Sequence, residues 1–172
     1  NTVAKLLNDA GAALGAYQDA VLRDLKCERV QVDEIWSFTY AKQKNVAKAK
    51  AAPEVAGDTW TWTAICADTK LVFGVLVGGR DAEYAAEFLS DVRSRLANRV
   101  QLTSDGHKAY LQGAKDAFDG DVDYAQLVKI YGSAPGANGA TGRYSPAALT
   151  GTQKTRITGS PDMAHVSTSF VE

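Results

Sequence analysis

Cysteine, methionine and histidine are scarce in this chain: two, one and two among 172 residues. Cys27 and Cys66 make no metal-type spacing, so reduced thiols in a cytosolic protein are expected rather than a zinc site or a disulfide framework. No apolar run approaches the roughly 18 residues that a membrane span needs, so no membrane partner is expected. The N-terminus is polar and amphipathic and lacks the apolar segment of a secretory signal. Strong charge of one sign is also missing. The formal net charge is −1, which does not advertise the basic balance of many nucleic-acid binders.

The charges are nevertheless uneven. Lys42, Lys44, Lys48 and Lys50 cluster between two expected strands, and Asp116, Asp119, Asp121 and Asp123 cluster before another. A near-zero average can hide a basic face. The hydrophobic fraction of 45% and three tryptophans are enough for a real core, and the length suits one domain with a remnant of a second. The chain begins at Asn1 and its only methionine is Met163, so a fragment of a longer protein is expected.

Residues 2 to 25 carry Val3, Leu6, Leu7 and Ala10 at helical spacing, with Thr2 as a possible cap. Gly11 and Gly15 weaken the middle, so two short helices are expected rather than one. Three strands should follow, at about 29–40, 59–67 and 71–77, the last two joined as an antiparallel hairpin by Asp68-Thr69-Lys70. Asp81 reads as the N-cap of an amphipathic helix marked by Ala85, Phe88, Leu89, Val92 and Leu96. A fourth strand at about 99–104, a helix at about 108–118 and a fifth strand at about 122–131 complete the pattern. Residues 132–160 lose periodicity and read as an irregular insertion. Another helix is expected to start near His165. The fold class is therefore α/β, a mixed sheet of three antiparallel strands followed by helix-strand-helix-strand, flanked by helices.

The chemistry centres on Val30-Gln31-Val32-Asp33-Glu34-Ile35-Trp36-Ser37-Phe38, an alternating segment with acids in its middle. A carboxylate on a packed strand costs free energy unless something pairs with it, and a metal ion is one such partner. If the first and fourth strands are neighbours, Asp33 and Asp105 face each other, and Glu172 is a third acid further on. Clustered carboxylates repel, whereas a divalent cation keeps them ionised. Alternation puts Val32, Glu34, Trp36 and Phe38 on one face and Asp33, Ile35 and Ser37 on the other. Spacing alone does not choose between Asp33 and Glu34. Trp36, Trp60 and Trp62 read as sheet packing before base stacking.

The run Val32-Asp33-Glu34-Ile35-Trp36-Ser37-Phe38 resembles the first catalytic motif of DDE transposases of bacterial insertion sequences, the insertion-sequence-one type. Thr103-Ser104-Asp105-Gly106-His107-Lys108-Ala109-Tyr110 resembles the second. Gly142-Arg143-Tyr144-Ser145-Pro146 and His165-Val166-Ser167-Thr168-Ser169-Phe170-Val171-Glu172 resemble the stretch leading into the third. The likeness runs over nearly the whole chain.

The resemblance implies a ribonuclease-H-like catalytic core over residues 27–172 and an acidic triad of Asp33, Asp105 and Glu172, and so selects Asp33 over Glu34. It implies Mg²⁺ or Mn²⁺ as cofactor. It implies cleavage at the ends of a mobile element and attack of the freed 3′-hydroxyl on target DNA. Double-stranded DNA would be the partner, bound by a homo-oligomer in the bacterial cytoplasm, at the nucleoid. Residues 1–26 would be the remnant of a helix-turn-helix region with its linker helix. DNA contacts are expected from Lys42, Lys44, Lys48, Lys50, His107, Lys108, Arg143, Lys154 and Arg156. An acid at the last residue has no following turns to hold it, so the isolated segment is expected to be inactive even with metal. A DNA-binding remnant without catalysis and a ribonuclease-H-like nuclease or resolvase are the other readings.

Overall fold

A computed structural model describes residues 1–132 and 148–171. The chain forms α1 (Thr2–Val21), β1 (Arg29–Thr39), α2 (Gln43–Val46), β2 (Gly57–Cys66), β3 (Val72–Gly78), α3 (Ala82–Arg95), β4 (Gln101–Ser104), α4 (Ala109–Phe118), β5 (Asp123–Gly132) and β6 (Ala148–Thr158). A short 3₁₀ turn, Met163–His165, follows. The six strands form one mixed sheet in the order β3-β2-β1-β4-β5-β6. β1 pairs antiparallel with β2 and parallel with β4, so it is the seam between the two halves. β4 and β5 are parallel, and β6 returns antiparallel to β5.

Local chemistry explains most boundaries. Asp81 accepts the amides of Glu83 and Tyr84 and caps α3, as its sequence position indicates. Lys70, with φ of 65°, turns β2 back into β3. Asp119, at φ 44°, closes α4 in the left-handed conformation. α3 and α4 cover one face of the sheet. Their Phe88, Leu89, Val92, Tyr110 and Phe118 pack on Val30, Val32, Trp62, Ala64, Phe73, Leu102 and Tyr124 in one core. Trp62 is fully buried, so at least this tryptophan is a packing residue.

The opposite face is covered only in part. Ala125 and Leu127 of β5 pack with Val166 and Met163 of the C-terminal segment. The Phe170 amide donates to Gln31 Oε1 at 2.9 Å, which ties that segment to β1. Further along, Ile35, Val75 and Val77 stay exposed on this face.

Several expectations are corrected. The sheet has six strands, not five, because 148–158 is a strand inside the stretch read as irregular. Its residues, Ala-Leu-Thr-Gly-Thr-Gln-Lys-Thr-Arg-Ile-Thr, sit at a sheet edge and are mostly exposed, so they carry little of the apolar alternation that marks a strand. α1 is one helix through Gly11 and Gly15, capped by Asn1 rather than Thr2. No described residue of α1 is buried, so no packing demand breaks it at the glycines. No helix starts at His165. The segment makes its 3₁₀ turn and then a turn in which Val171 bonds back to Thr168. No helix among the described residues is long and apolar enough to cross a membrane.

Candidate functional site

Asp33 lies in the middle of β1, on the face away from α3 and α4. The β1–β4 register pairs Gln31 with Thr103. Continued two residues, it brings Asp33 level with Asp105, which follows the end of β4. Both acids line a single cavity of about 650 Å³ at this end of the sheet, together with Arg80, His107, Lys108, Lys129 and Tyr131.

Each carboxylate is fixed by a backbone amide. Asp33 Oδ1 accepts from the Glu34 amide at 2.8 Å, and Asp105 Oδ1 accepts from the His107 amide at 2.8 Å. The loop carrying Asp105 is itself held, because Gln126 Nε2 donates to the His107 carbonyl at 3.3 Å. Burial pushes the Asp33 carboxyl up to about 6, and the charges of Asp105 and Glu34 push the same way. The amide bond from Glu34 and the ammonium of Lys129 oppose that rise.

Glu34 points the other way, into the core. Its side chain is 0% exposed. Oε1 takes Arg80 Nε at 2.6 Å and Oε2 takes the Tyr110 hydroxyl at 2.7 Å. Burial, then the nearby Glu34 charge, holds Tyr110 well above the usual phenol range, so it remains a donor. His107 Nε2 lies 3.9 Å from Glu34 Oε1 and makes no hydrogen bond. The His107 ring leans on Trp62 and Tyr110. Two neighbouring acids therefore serve opposite faces, with Asp33 in the cavity and Glu34 in a buried polar cluster beneath it.

The donor set suits a hard divalent cation such as Mg²⁺. Two carboxylates line one cavity, and Asp33 carries a charge that burial and Asp105 disfavour. Among the described residues no group of three acids, histidines or cysteines lies close enough to hold a metal.

The structure brings together only part of the set expected from sequence. Asp33, Asp105, His107 and Lys108 share the cavity. Glu172 and Arg143 lie outside the described residues. Lys42, Lys44, Lys48 and Lys50 are exposed beyond the end of β1 and do not line the cavity; Lys42 sits over the rings of Trp36 and Phe38. Lys154 and Arg156 lie on β6, also outside the cavity, and Lys154 Nζ donates to the Met163 carbonyl at 2.8 Å. Arg80, Lys129 and Tyr131 were missed. For Lys129 and Tyr131 the signal was present, since Leu127, Lys129 and Tyr131 alternate onto one face of the strand next to Asp105. For Arg80, which stands in a turn, periodicity gives no signal. Compared with models of known protein families and with curated proteins, the chain finds no match.

Proposed function

We propose that this chain is the ribonuclease-H-like catalytic core of a DDE transposase of the insertion-sequence-one type, acting on double-stranded DNA by metal-dependent cleavage and strand transfer. The observation that carries the reading is the meeting of Asp33 and Asp105, from the two motifs of that resemblance, in one open cavity. A sheet whose first strand runs antiparallel to the second and parallel to the fourth is consistent with such a core.

Asp33 and Asp105 would hold Mg²⁺ or Mn²⁺. When bound, such ions supply activation of the attacking water or 3′-hydroxyl and neutralise charge on the departing oxygen. Lys108 and Lys129 flank the acids and offset the repulsion that a DNA phosphate would otherwise meet. Phe170 is tied to β1 through Gln31, on the face that carries Asp33. α1 buries no residue and leaves Val3, Leu6, Leu7 and Leu14 exposed, which agrees with a segment whose partner is a DNA-binding region or DNA itself.

The test is cleavage of element-end DNA by the intact protein with Mg²⁺ or Mn²⁺. Asp33→Asn and Asp105→Asn are each expected to cut the rate by about a thousandfold or more, since each removes a metal ligand. Undiminished cleavage by either variant ends the proposal. Nicked, branched and RNA–DNA hybrid duplexes run beside it separate a transposase from a resolvase or a ribonuclease.

A further inference from the structure

Arg80 stands where β3 hands over to α3, and the backbone on both sides of it is held. Trp62 Nε1 donates to the Gly79 carbonyl at 2.9 Å. Asp81 accepts the amides of Glu83 and Tyr84 at 3.0 and 3.1 Å. The guanidinium is held as well. Nε bonds Glu34 Oε1, and the group lies 4.5 Å over the Trp60 ring. Glu34 does not grip it as a two-pronged fork: Oε1 takes Arg80 Nε and Oε2 takes the Tyr110 hydroxyl. Among the described residues neither terminal nitrogen of Arg80 makes a hydrogen bond. Nη2 comes to 3.8 Å from Asp105 Oδ2, beyond hydrogen-bond reach, at the wall of the cavity.

A guanidinium anchored by its Nε and an indole presents its remaining N–H groups in fixed directions. It then loses little side-chain freedom when an anion arrives. The planar array of donors matches the geometry of a phosphate's oxygens. A lysine could satisfy Glu34 or reach into the cavity, but its single ammonium could not do both.

We propose that Arg80 grips a non-bridging oxygen of the DNA phosphodiester presented to Asp33 and Asp105, and that the buried Glu34 is its positioning residue. The proposal rests on the reading of this cavity as a phosphoryl-transfer site. It adds a substrate contact that neither motif of the resemblance contains.

The experiment is titration with the dinucleotide thymidylyl-3′,5′-thymidine in the presence of Mg²⁺, with thymidine as the phosphate-free control. The readout is the side-chain Nε–Hε signal of Arg80 by NMR. A saturable shift is expected with the dinucleotide and none with thymidine. Arg80→Ala and Arg80→Lys should each weaken binding at least ~10-fold, because both lose the fork that meets the phosphate. Arg80→Lys leaves a cation for Glu34, which keeps the fold testable if the alanine variant fails. Glu34→Gln should move the Arg80 signal before any ligand is added and weaken binding to a lesser degree. No dinucleotide binding by the wild type, or binding by Arg80→Lys within about twofold of wild type, overturns the proposal, since a role that is only to neutralise Asp105 is one a lysine fills equally well. A failure here leaves cleavage through Asp33 and Asp105 standing. Conversely, Arg80-dependent binding beside cleavage indifferent to those acids overturns the transposase reading instead.

Discussion

Arg80 Nε meets Glu34 Oε1 at 2.6 Å directly beneath the cavity that Asp33 and Asp105 line. The strand pleat makes this division possible, because adjacent residues face opposite sides of a sheet. Glu34, inside, is satisfied by Arg80 and Tyr110. Asp33, in the cavity, receives one backbone amide and otherwise keeps its charge against the cost of burial.

Tyr110→Phe should expose how much that buried cluster depends on complete pairing. It removes only a hydroxyl, yet leaves Glu34 Oε2 without its donor in a site closed to water. An unsatisfied buried acceptor costs about 1–3 kcal/mol. Urea unfolding of the variant and the wild type checks this, and equal midpoints would show that the bond contributes nothing.

Asp33 gives the metal-free protein a pH dependence of unusual sign. Its folded carboxyl titrates near 6 against an ordinary value near 3.8, so between those values the folded state holds the proton that the unfolded state has lost. Stability from this group is complete below the unfolded value and is lost as pH rises through about 6. Asp33→Asn should therefore raise the Tm at pH 8 and by roughly half as much at pH 5, where part of the cost is already present, as thermal melts without metal can show. Mg²⁺ should add stability to the wild type at pH 8 but far less at pH 5, where Asp33 is mostly protonated. A Tm gain for Asp33→Asn that is equal at both pH values contradicts the assignment.

Gly78→Ala tests the turn that carries Arg80. A Cβ at Gly78 would fall within the Tyr84 ring, so the ring or the strand end must move. Overpacking of this kind costs about 1–3 kcal/mol. Combining the change with Tyr84→Ala should recover much of the loss in a double-mutant cycle. Strict additivity of the two changes would show that they do not share this contact.

β1, the β2–β3 hairpin and the Asp81-capped helix were legible in the sequence because each has a strong local signal: alternation, a turn, or a capping side chain ahead of an amphipathic face. β6 was not, because an edge strand exposed along most of its length writes no apolar period. The unbroken α1 was not, because glycine's modest helix cost does not by itself end a helix. The site followed the same division. Alternation put Asp33 and Glu34 on opposite faces, but only the pairing of β1 with β4 puts Asp105 beside the first of them. The hold of Glu34 on Arg80 joins residues far apart in sequence, through a turn whose side-chain direction no periodicity encodes.

The position of β1 at the seam also divides the loops that the chain must close. Its antiparallel side closes onto β2, the next strand in the chain, whereas its parallel side waits for β4, which arrives only after β2, β3 and α3. Closing that larger loop costs more chain entropy before any contact repays it. The Glu34–Arg80 anchor belongs to the earlier unit and the Asp33–Asp105 pair to the later one. The arginine contact therefore closes within residues 34–80, whereas the pair of acids depends on a contact spanning residues 33–105, and the cavity's negative charge is assembled by the longer of the two loops.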